Sequence, residues 1–489
     1  MATDIETTPA PESSAPGVPG GALDIVVMAA GKGTRMKSSL PKVLHRLAGR
    51  PLLLHVLASS AALGPQRCWV ITGHGAEQVE LALAGSGAKS VRQMPQLGTG
   101  HAVQQVAGQL TDGGTTLILN GDVPLIETAT ARALIDACAG QRLALLTIHL
   151  PDATGYGRIV RAAAAPAGAA GETEGEGAAV LGIVEHKDAT PAQRAISEVY
   201  TGMMAAPTTA LKRWLAALRN DNAQGEYYLT DIVAMAVADG LPVVATTARD
   251  ETEVLGVNSP VQLADLERRL QRRQADALLL AGVRLADPAR FDLRGTLATG
   301  QDVEIDVGCV FEGAVQLADN VQIGAHCVLR NAVLAAGVVV HPFSHIDGAR
   351  VGAGSVVGPY ARLRPGAELA EDVHIGNFVE VKNSTLARGA KANHLAYLGD
   401  ATVGERVNYG AGSITANYDG ANKHRTVIGA DVHIGSNCVL IAPVAIGAGG
   451  TVGGGSTVSK NTLPGQLTVA RGKQVAITGW TRPAKVKKG

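Results

Sequence analysis

The stretch 351-VGAGSVVGPYARLRPGAEL-369 decides the fold of the C-terminal half. Its large apolar residues Val351, Val357, Leu363 and Leu369 fall six apart, and Ile375 and Val381 continue the phase. The same period of six runs through Ile305, Phe311, Leu317, Ile323 and Leu329, and again through Ile428, Ile434, Leu440, Ile446, Val452 and Val458. A period of six fits neither an α-helix nor an ordinary strand. It fits a hexapeptide β-helix, where each hexad is one side of a prism and stacked apolar residues fill the axis. A Gly-rich β-sandwich would not hold that phase. Between Val381 and Ile428 the phase fades and polar residues crowd in: His394, Tyr397, Asn408, Tyr409, Asn417, Tyr418, Lys423, His424 and Arg425. Places where a local rule breaks are candidates for function.

Upstream the pattern differs. Leu23–Met28, Arg67–Thr72, Thr116–Asn120, Ala144–Leu150 and Leu241–Thr246 are short apolar runs separated by amphipathic stretches such as Lys42–Leu57 and Thr128–Ala137. The alternation predicts a parallel sheet covered by helices. Ser259-Pro260 reads as an N-cap and first helical residue, and Leu263, Leu266 and Leu270 carry one helix to about residue 281. The run 161–179 is low in complexity and reads as a mobile hairpin or loop.

Composition narrows the function. Lys+Arg and Asp+Glu balance at 43 each, so no basic excess speaks for nucleic acid. Five scattered cysteines without a C-x-x-C pair suit free thiols in a reducing compartment, and a cytoplasmic location is expected. Residues 1–22 lack a basic region and an apolar stretch; they read as a disordered leader and not as a signal peptide. No window has the apolar length of a membrane span.

Four stretches carry candidate chemistry. In 25-IVVMAAGKGTRM-36, Gly31 and Gly33 let backbone N–H groups approach a phosphate, a following helix would offer its positive end, and Arg35 and Lys42 add charge. It is neither a P-loop, since Gly33 follows Gly31-Lys32, nor a dinucleotide fingerprint, since Met36 stands where the third glycine belongs. In 119-LNGDVPL-125, Asp122 follows a strand and is placed to hold Mg²⁺, with Asn258 able to supply a neutral oxygen. Gly98, Thr99 and Gly100 form a tight turn that could grip a base or ribose. His394, near Lys382, Tyr397 and Asn417-Tyr418, is a plausible general base.

These motifs, with QLGTGHA, TGYGRI, NAQGEYYLTDI, ARLRPGAEL, NFVEVKN, HLAYLGDA and NYGAGSITANYDGANKHRT, occur in one order over nearly the whole chain. Taken together, the chain resembles the bacterial family of bifunctional N-acetylglucosamine-1-phosphate uridylyltransferases/glucosamine-1-phosphate N-acetyltransferases. The resemblance implies two active sites and synthesis of UDP-N-acetylglucosamine for peptidoglycan and lipopolysaccharide. In the first, Met28, Ala29, Ala30, Gly31 and Lys42 hold the nucleotide and Gln93, Gly98 and Thr99 meet the uracil. Asn120, Gly121 and Asp122 line that site, Asp122 and Asn258 bind Mg²⁺, and Gly157, Glu185 and Tyr200 face the amino sugar. Arg35 and Lys42 oppose charge on the phosphates as N-acetylglucosamine 1-phosphate attacks UTP. In the second, Arg364, Lys382, Tyr397 and Asn408 bind glucosamine 1-phosphate, and His394 takes the proton from its amine. Ala411, Asn417, Tyr418, Lys423, Ser436, Gly454 and Arg471 are implied as acetyl-CoA contacts, with Asn417 and Tyr418 also orienting the sugar. A homotrimer with acetyl-transfer sites between subunits is implied as well.

Three positions depart from the family pattern: Tyr200 where Asn is common, Asn120 where Tyr often stands, and Gly453-Gly454 for a usual Ala pair. The expected organisation is a leader (1–22), an α/β Rossmann-like nucleotidyltransferase domain (23–258), a linker helix (259–281), a left-handed parallel β-helix (282–478) and a tail (479–489). The competing reading is a nucleotidyltransferase alone, with a purely structural β-helix; the polar cluster 382–425 argues against it.

Overall fold

The computed structural model describes residues 21–162, 178–222 and 224–482. Most of the leader, the core of the low-complexity run and the last residues of the tail lie outside the described residues. The chain divides into two compact units between Arg269 and Leu270, inside the helix Pro260–Leu280.

The first unit is built on nine strands: β1 (Leu23–Ala29), β2 (Arg67–Thr72), β3 (Lys89–Arg92), β4 (Thr115–Asn120), β5 (Leu143–His149), β6 (Gly157–Arg161), β7 (Val180–Val184), β8 (Glu198–Pro207) and β9 (Val243–Thr247). Their main order is β9-β5-β8-β4-β1-β2-β3, with β6 and β7 as a side hairpin on β8. β1 pairs in parallel with β2 and β4. The central strands are largely apolar and buried because helices cover both faces; Ile25, Val26 and Val27 are wholly buried.

Two expectations are corrected here. The sheet is mixed, because β8 runs antiparallel to both β4 and β5. Hydrophobic alternation reports burial and not strand direction, so β8 could not be oriented from its pattern. The amphipathic stretch Lys42–Leu57 is not one helix. A single 3₁₀ turn (Lys42–Leu44) and a two-rung hairpin (Arg46–Leu47 with Arg50–Pro51) precede the helix Leu52–Ala61. Ala48 and Gly49 both take positive φ there, which no helix allows.

The second unit is a left-handed parallel β-helix. Two- to four-residue strands stack coil on coil, and the in-phase residues form the core: Val357, Leu363, Ile375 and Val381 are wholly buried. Successive rungs stand 17 or 18 residues apart, as in Val339↔Val356 and Val356↔His374. The glycine after the apolar residue marks close coil approach; a Cβ on Gly376 would lie 2.1 Å from the Asn393 carbonyl oxygen of the next coil. The far end of the Pro260–Leu280 helix closes the lower end of this core. Ala275 and Leu278 pack into it, and Gln271 exchanges two hydrogen bonds with the Leu293 backbone (2.7 and 3.0 Å).

All five cysteines are free. Among the described residues no helix is long and apolar enough to cross a membrane, and no three His, Cys, Asp or Glu gather as a metal cage.

Candidate active sites

In the first unit β1 ends at the loop Ala30–Gly33. No true helix follows directly, contrary to expectation; the loop runs into the three-residue 3₁₀ segment Thr34–Met36. The loop's glycine serves another purpose. Gly33 sits at φ 59, and a Cβ there would lie 2.8 Å from the Lys42 Cβ. Gly33 therefore lets Lys42 cross behind the loop. The Lys42 ammonium then reaches Asp122 Oδ2 at 2.5 Å and Asn258 Oδ1 at 3.0 Å. Asp122 is presented by the end of β4, and its carbonyl accepts from the Val257 N–H (2.9 Å), which brings Asn258 alongside. Two oxygens thus converge on one positive charge.

A cavity of about 480 Å³ opens over this cluster. Met28, Ala29, Ala30, Gly31, Lys42, Gln93, Gly98, Thr99, Asn120 and Asp122 all line it. Gly121 lies just behind, its N–H donating to the Met28 carbonyl. Arg35 does not join them; it stands exposed on the 3₁₀ turn, and Lys32 lines the cavity instead. Gln93 is nearly buried, and its amide nitrogen donates to the Gly98 carbonyl (2.9 Å) and approaches His101 Nδ1 (3.2 Å). Lys32, His101 and Gln96, which donates to the Ala30 carbonyl (3.0 Å), were missed by sequence reasoning. The adjoining motif QLGTGHA was the available signal for His101.

A second cavity of about 220 Å³ shares Met28, Thr99 and Asn120 and is lined by Gly157, Glu185 and Tyr200. Glu185 accepts from the Thr230 hydroxyl (3.0 Å), and burial raises its pKa against that bond. The Tyr200 hydroxyl is buried with no hydrogen-bond partner. Asn120 packs over Gly202, where a Cβ would lie 2.2 Å from its amide nitrogen.

In the second unit the β-helix aligns residues distant in sequence. Asn377 pairs with His394 in the coil ladder. The register Ala392↔Tyr409, Tyr409↔Ile434 and Ile434↔Val452 carries that corner on through Ala411, Ser436 and Gly454. His394 therefore stands exposed at the foot of a column made of the implied acetyl-CoA residues. Arg471 reaches the top of the column and donates to the Gly454 carbonyl (2.7 Å). Alanine would fit at position 454, since a Cβ would sit 3.4 Å from its nearest neighbour.

A neighbouring face gathers cations. Arg364 pairs with Glu380 (2.8 Å), and Glu380 is in register with Tyr397. The Lys423 cation beside Lys382, together with desolvation, lowers the Lys382 pKa. Lys423 thus comes near Lys382. It rides on an excursion between Ala416 and Thr426 that lengthens the rung spacing: Asn408↔His433 spans 25 residues. The excursion is closed by the Tyr418↔Lys423 bridge and by His424 on Asp419 (2.6 Å). Asn417 is tied by its amide to Asp400. Asn408 is not brought to this cluster; it lies on a separate sheet, beside His433 (3.0 Å).

A profile of the MobA-like NTP transferase domain matches residues 25–279, and one of the GMPPB C-terminal domain matches residues 293–378. Curated relatives match almost end to end. "Bifunctional protein GlmU" of Methylibium petroleiphilum is 73% identical, covering 95% of this chain and 99% of the relative. The protein of that name from an Acidovorax species is 66% identical, over 96% of this chain and 100% of the relative. That of a Janthinobacterium species is 57% identical, over 95% and 100%. With both units matched and relatives this similar over their full length, the chain belongs to the bifunctional GlmU family.

Proposed function

We propose that the two clusters share out the two reactions of UDP-N-acetylglucosamine synthesis, one to each unit. As a family member the chain carries uridylyltransferase and acetyltransferase activities. What supports the division is that each unit gathers its own cluster of polar groups.

In the first unit the chemistry is positioning and charge neutralisation. The loop from Met28 to Gly31 holds the triphosphate of UTP, and Gln93, Gly98 and Thr99 hold its base. The smaller cavity takes N-acetylglucosamine 1-phosphate, with Glu185 accepting from the sugar, and the phosphate oxygen attacks the α-phosphorus in line as pyrophosphate leaves. No protein nucleophile is required. The fit for a hard divalent cation rests on Asp122 Oδ2 and Asn258 Oδ1, which already converge on the Lys42 ammonium. These two residues would hold Mg²⁺, which when bound neutralises phosphate charge. Lys42 then turns to the phosphates.

In the second unit Arg364 and Lys382 hold the phosphate of glucosamine 1-phosphate. His394 removes a proton from the amine as the nitrogen attacks the thioester carbonyl of acetyl-CoA, and the CoA thiolate leaves. The acetyl-CoA lies along Ala411, Ser436 and Gly454 toward Arg471. A homotrimer in the cytoplasm completes the reading. It is supported by the exposure of His394 and by the placement of Asn408 on a different sheet from Tyr397, so that a neighbouring copy can supply what one chain leaves apart. The corner next to His394 also exposes stacked Phe343, Tyr360 and Phe378, a ladder that packing between copies would cover.

The test follows both products. His394→Ala should abolish release of the CoA thiol and spare pyrophosphate release. Loss of both with the fold intact would refute the division. Sedimentation of the intact protein tests the trimer.

A further inference from the structure

The excursion carrying Lys423 must be held at its root. One leg is held by Arg425, which donates to the Thr402 hydroxyl (2.6 Å) and to the Ala401 and Asn383 carbonyls. The other is held by Asp400. This residue takes φ 50 at a coil corner, donates its N–H to the Lys382 carbonyl (3.0 Å) and accepts from the Thr426 N–H (3.1 Å). Its side chain is almost wholly occluded, and each carboxylate oxygen accepts one amide N–H: Oδ1 from Asn383 and Oδ2 from Asn417, both at 2.5 Å. Lys382 and Lys423 lie close enough for its charge to act on both. Burial works to raise the Asp400 pKa, but the two amides and the two lysines outweigh it and keep the carboxyl below its usual range. One side chain thus links the coil of Lys382 with the root of the Lys423 excursion. An amide that turns its nitrogen toward a carboxylate has its orientation fixed, with its oxygen on the other side. Asn417 therefore presents that oxygen as an acceptor, and one N–H of its NH₂ remains.

We propose that Asp400 is a positioning residue for acetyl transfer: it fixes the Asn417 amide with its oxygen toward the substrate amine and holds Lys423 against Lys382. The phosphate site is then assembled before the substrate arrives. This rests on reading Arg364 and Lys382 as the sugar-phosphate site.

Asp400→Asn tests the proposal through the sign of its effect. Removing a negative charge beside two lysines would, by Coulomb attraction alone, tighten binding of an anion. Loss of positioning does the opposite, because one of the two oxygens becomes an NH₂ donor and then faces the N–H of Asn383 or Asn417. The KM for glucosamine 1-phosphate should rise about tenfold or more, the order of a lost charge-assisted hydrogen bond. The rate of pyrophosphate release should hold. The exchange Asp400→Asn with Asn417→Asp restores one donor for each acceptor and should recover most of the loss, which a merely unfolded variant would not. An unchanged or lowered KM in Asp400→Asn, or an exchange that recovers nothing, would overturn the proposal. Lys382→Met separates the two claims. If it leaves the glucosamine 1-phosphate KM unchanged, the site assignment itself fails; if it raises that KM while Asp400→Asn does not, only the role of Asp400 fails.

Discussion

At the scale of single residues, Gly33 shows how backbone freedom becomes chemistry. Its positive φ and missing Cβ leave room for Lys42, so Gly33→Ala should displace the ammonium without touching substrate. A fall in pyrophosphate release of about a hundredfold is expected, the order that an ångström of misplacement produces, while thiol release stays constant. Glu185 offers a second test. Its pKa is raised by burial, so the protonated form is favoured on folding. That contribution is full below the unfolded-state pKa and is lost as pH rises through the raised folded value. Glu185→Gln should therefore flatten the decline in stability of the first unit above the carboxylate range, measured by thermal melts without ligand. The loop itself was legible in the sequence as a glycine-rich turn at the end of an apolar strand. Its true constraint, the passage of Lys42, was not, because the two residues meet only in three dimensions. Tyr200 was visible as a departure, but nothing in its neighbours could reveal that its hydroxyl would be buried without a partner.

At the scale of elements, the six-residue period was the most readable feature of the chain, because every in-phase position packs on the same axis. Leu363→Ala should cost about 2–5 kcal/mol of stability in denaturant unfolding, the range for a wholly buried leucine. A substitution on an outward face of the same coil, such as Arg362→Ala, should cost about 0.5 kcal/mol or less. The Pro260–Leu280 helix was equally plain from its cap and leucine spacing, yet its role in closing the β-helix was not. That role depends on Gln271, a polar residue in a charged run, meeting the backbone of Leu293. Gln271→Ala leaves a buried N–H and C=O unmatched and should cost about 1–3 kcal/mol. Strand direction in the first unit was illegible for the reason β8 illustrates: reversing a strand changes its partners but not its composition.

At the scale of the whole molecule, the two reactions should respond separately to conditions. Chelation of divalent cations should stop pyrophosphate release and leave thiol release unaffected, since the second unit gathers lysines and a histidine and needs no metal for its proposed chemistry. An equal loss of both under EDTA would contradict the assignment of Asp122 and Asn258. That two chemistries share the chain was legible from the change of period near residue 300. How His394, Ala411, Ser436 and Gly454 come into line was hidden, because the irregular 25-residue step at Asn408↔His433 obscures the register that joins them.

That irregular step has an evolutionary side. The coils on either side of it keep their pairing, Asn408 on His433 and Tyr409 on Ile434, as if nothing had been inserted. A corner of such a solenoid can be lengthened while its neighbours stay in register, so new side chains can be tried at the rim without redesigning the interior. Variation among descendants of this chain should concentrate in corner length and corner composition, and the stacked interior should change slowly.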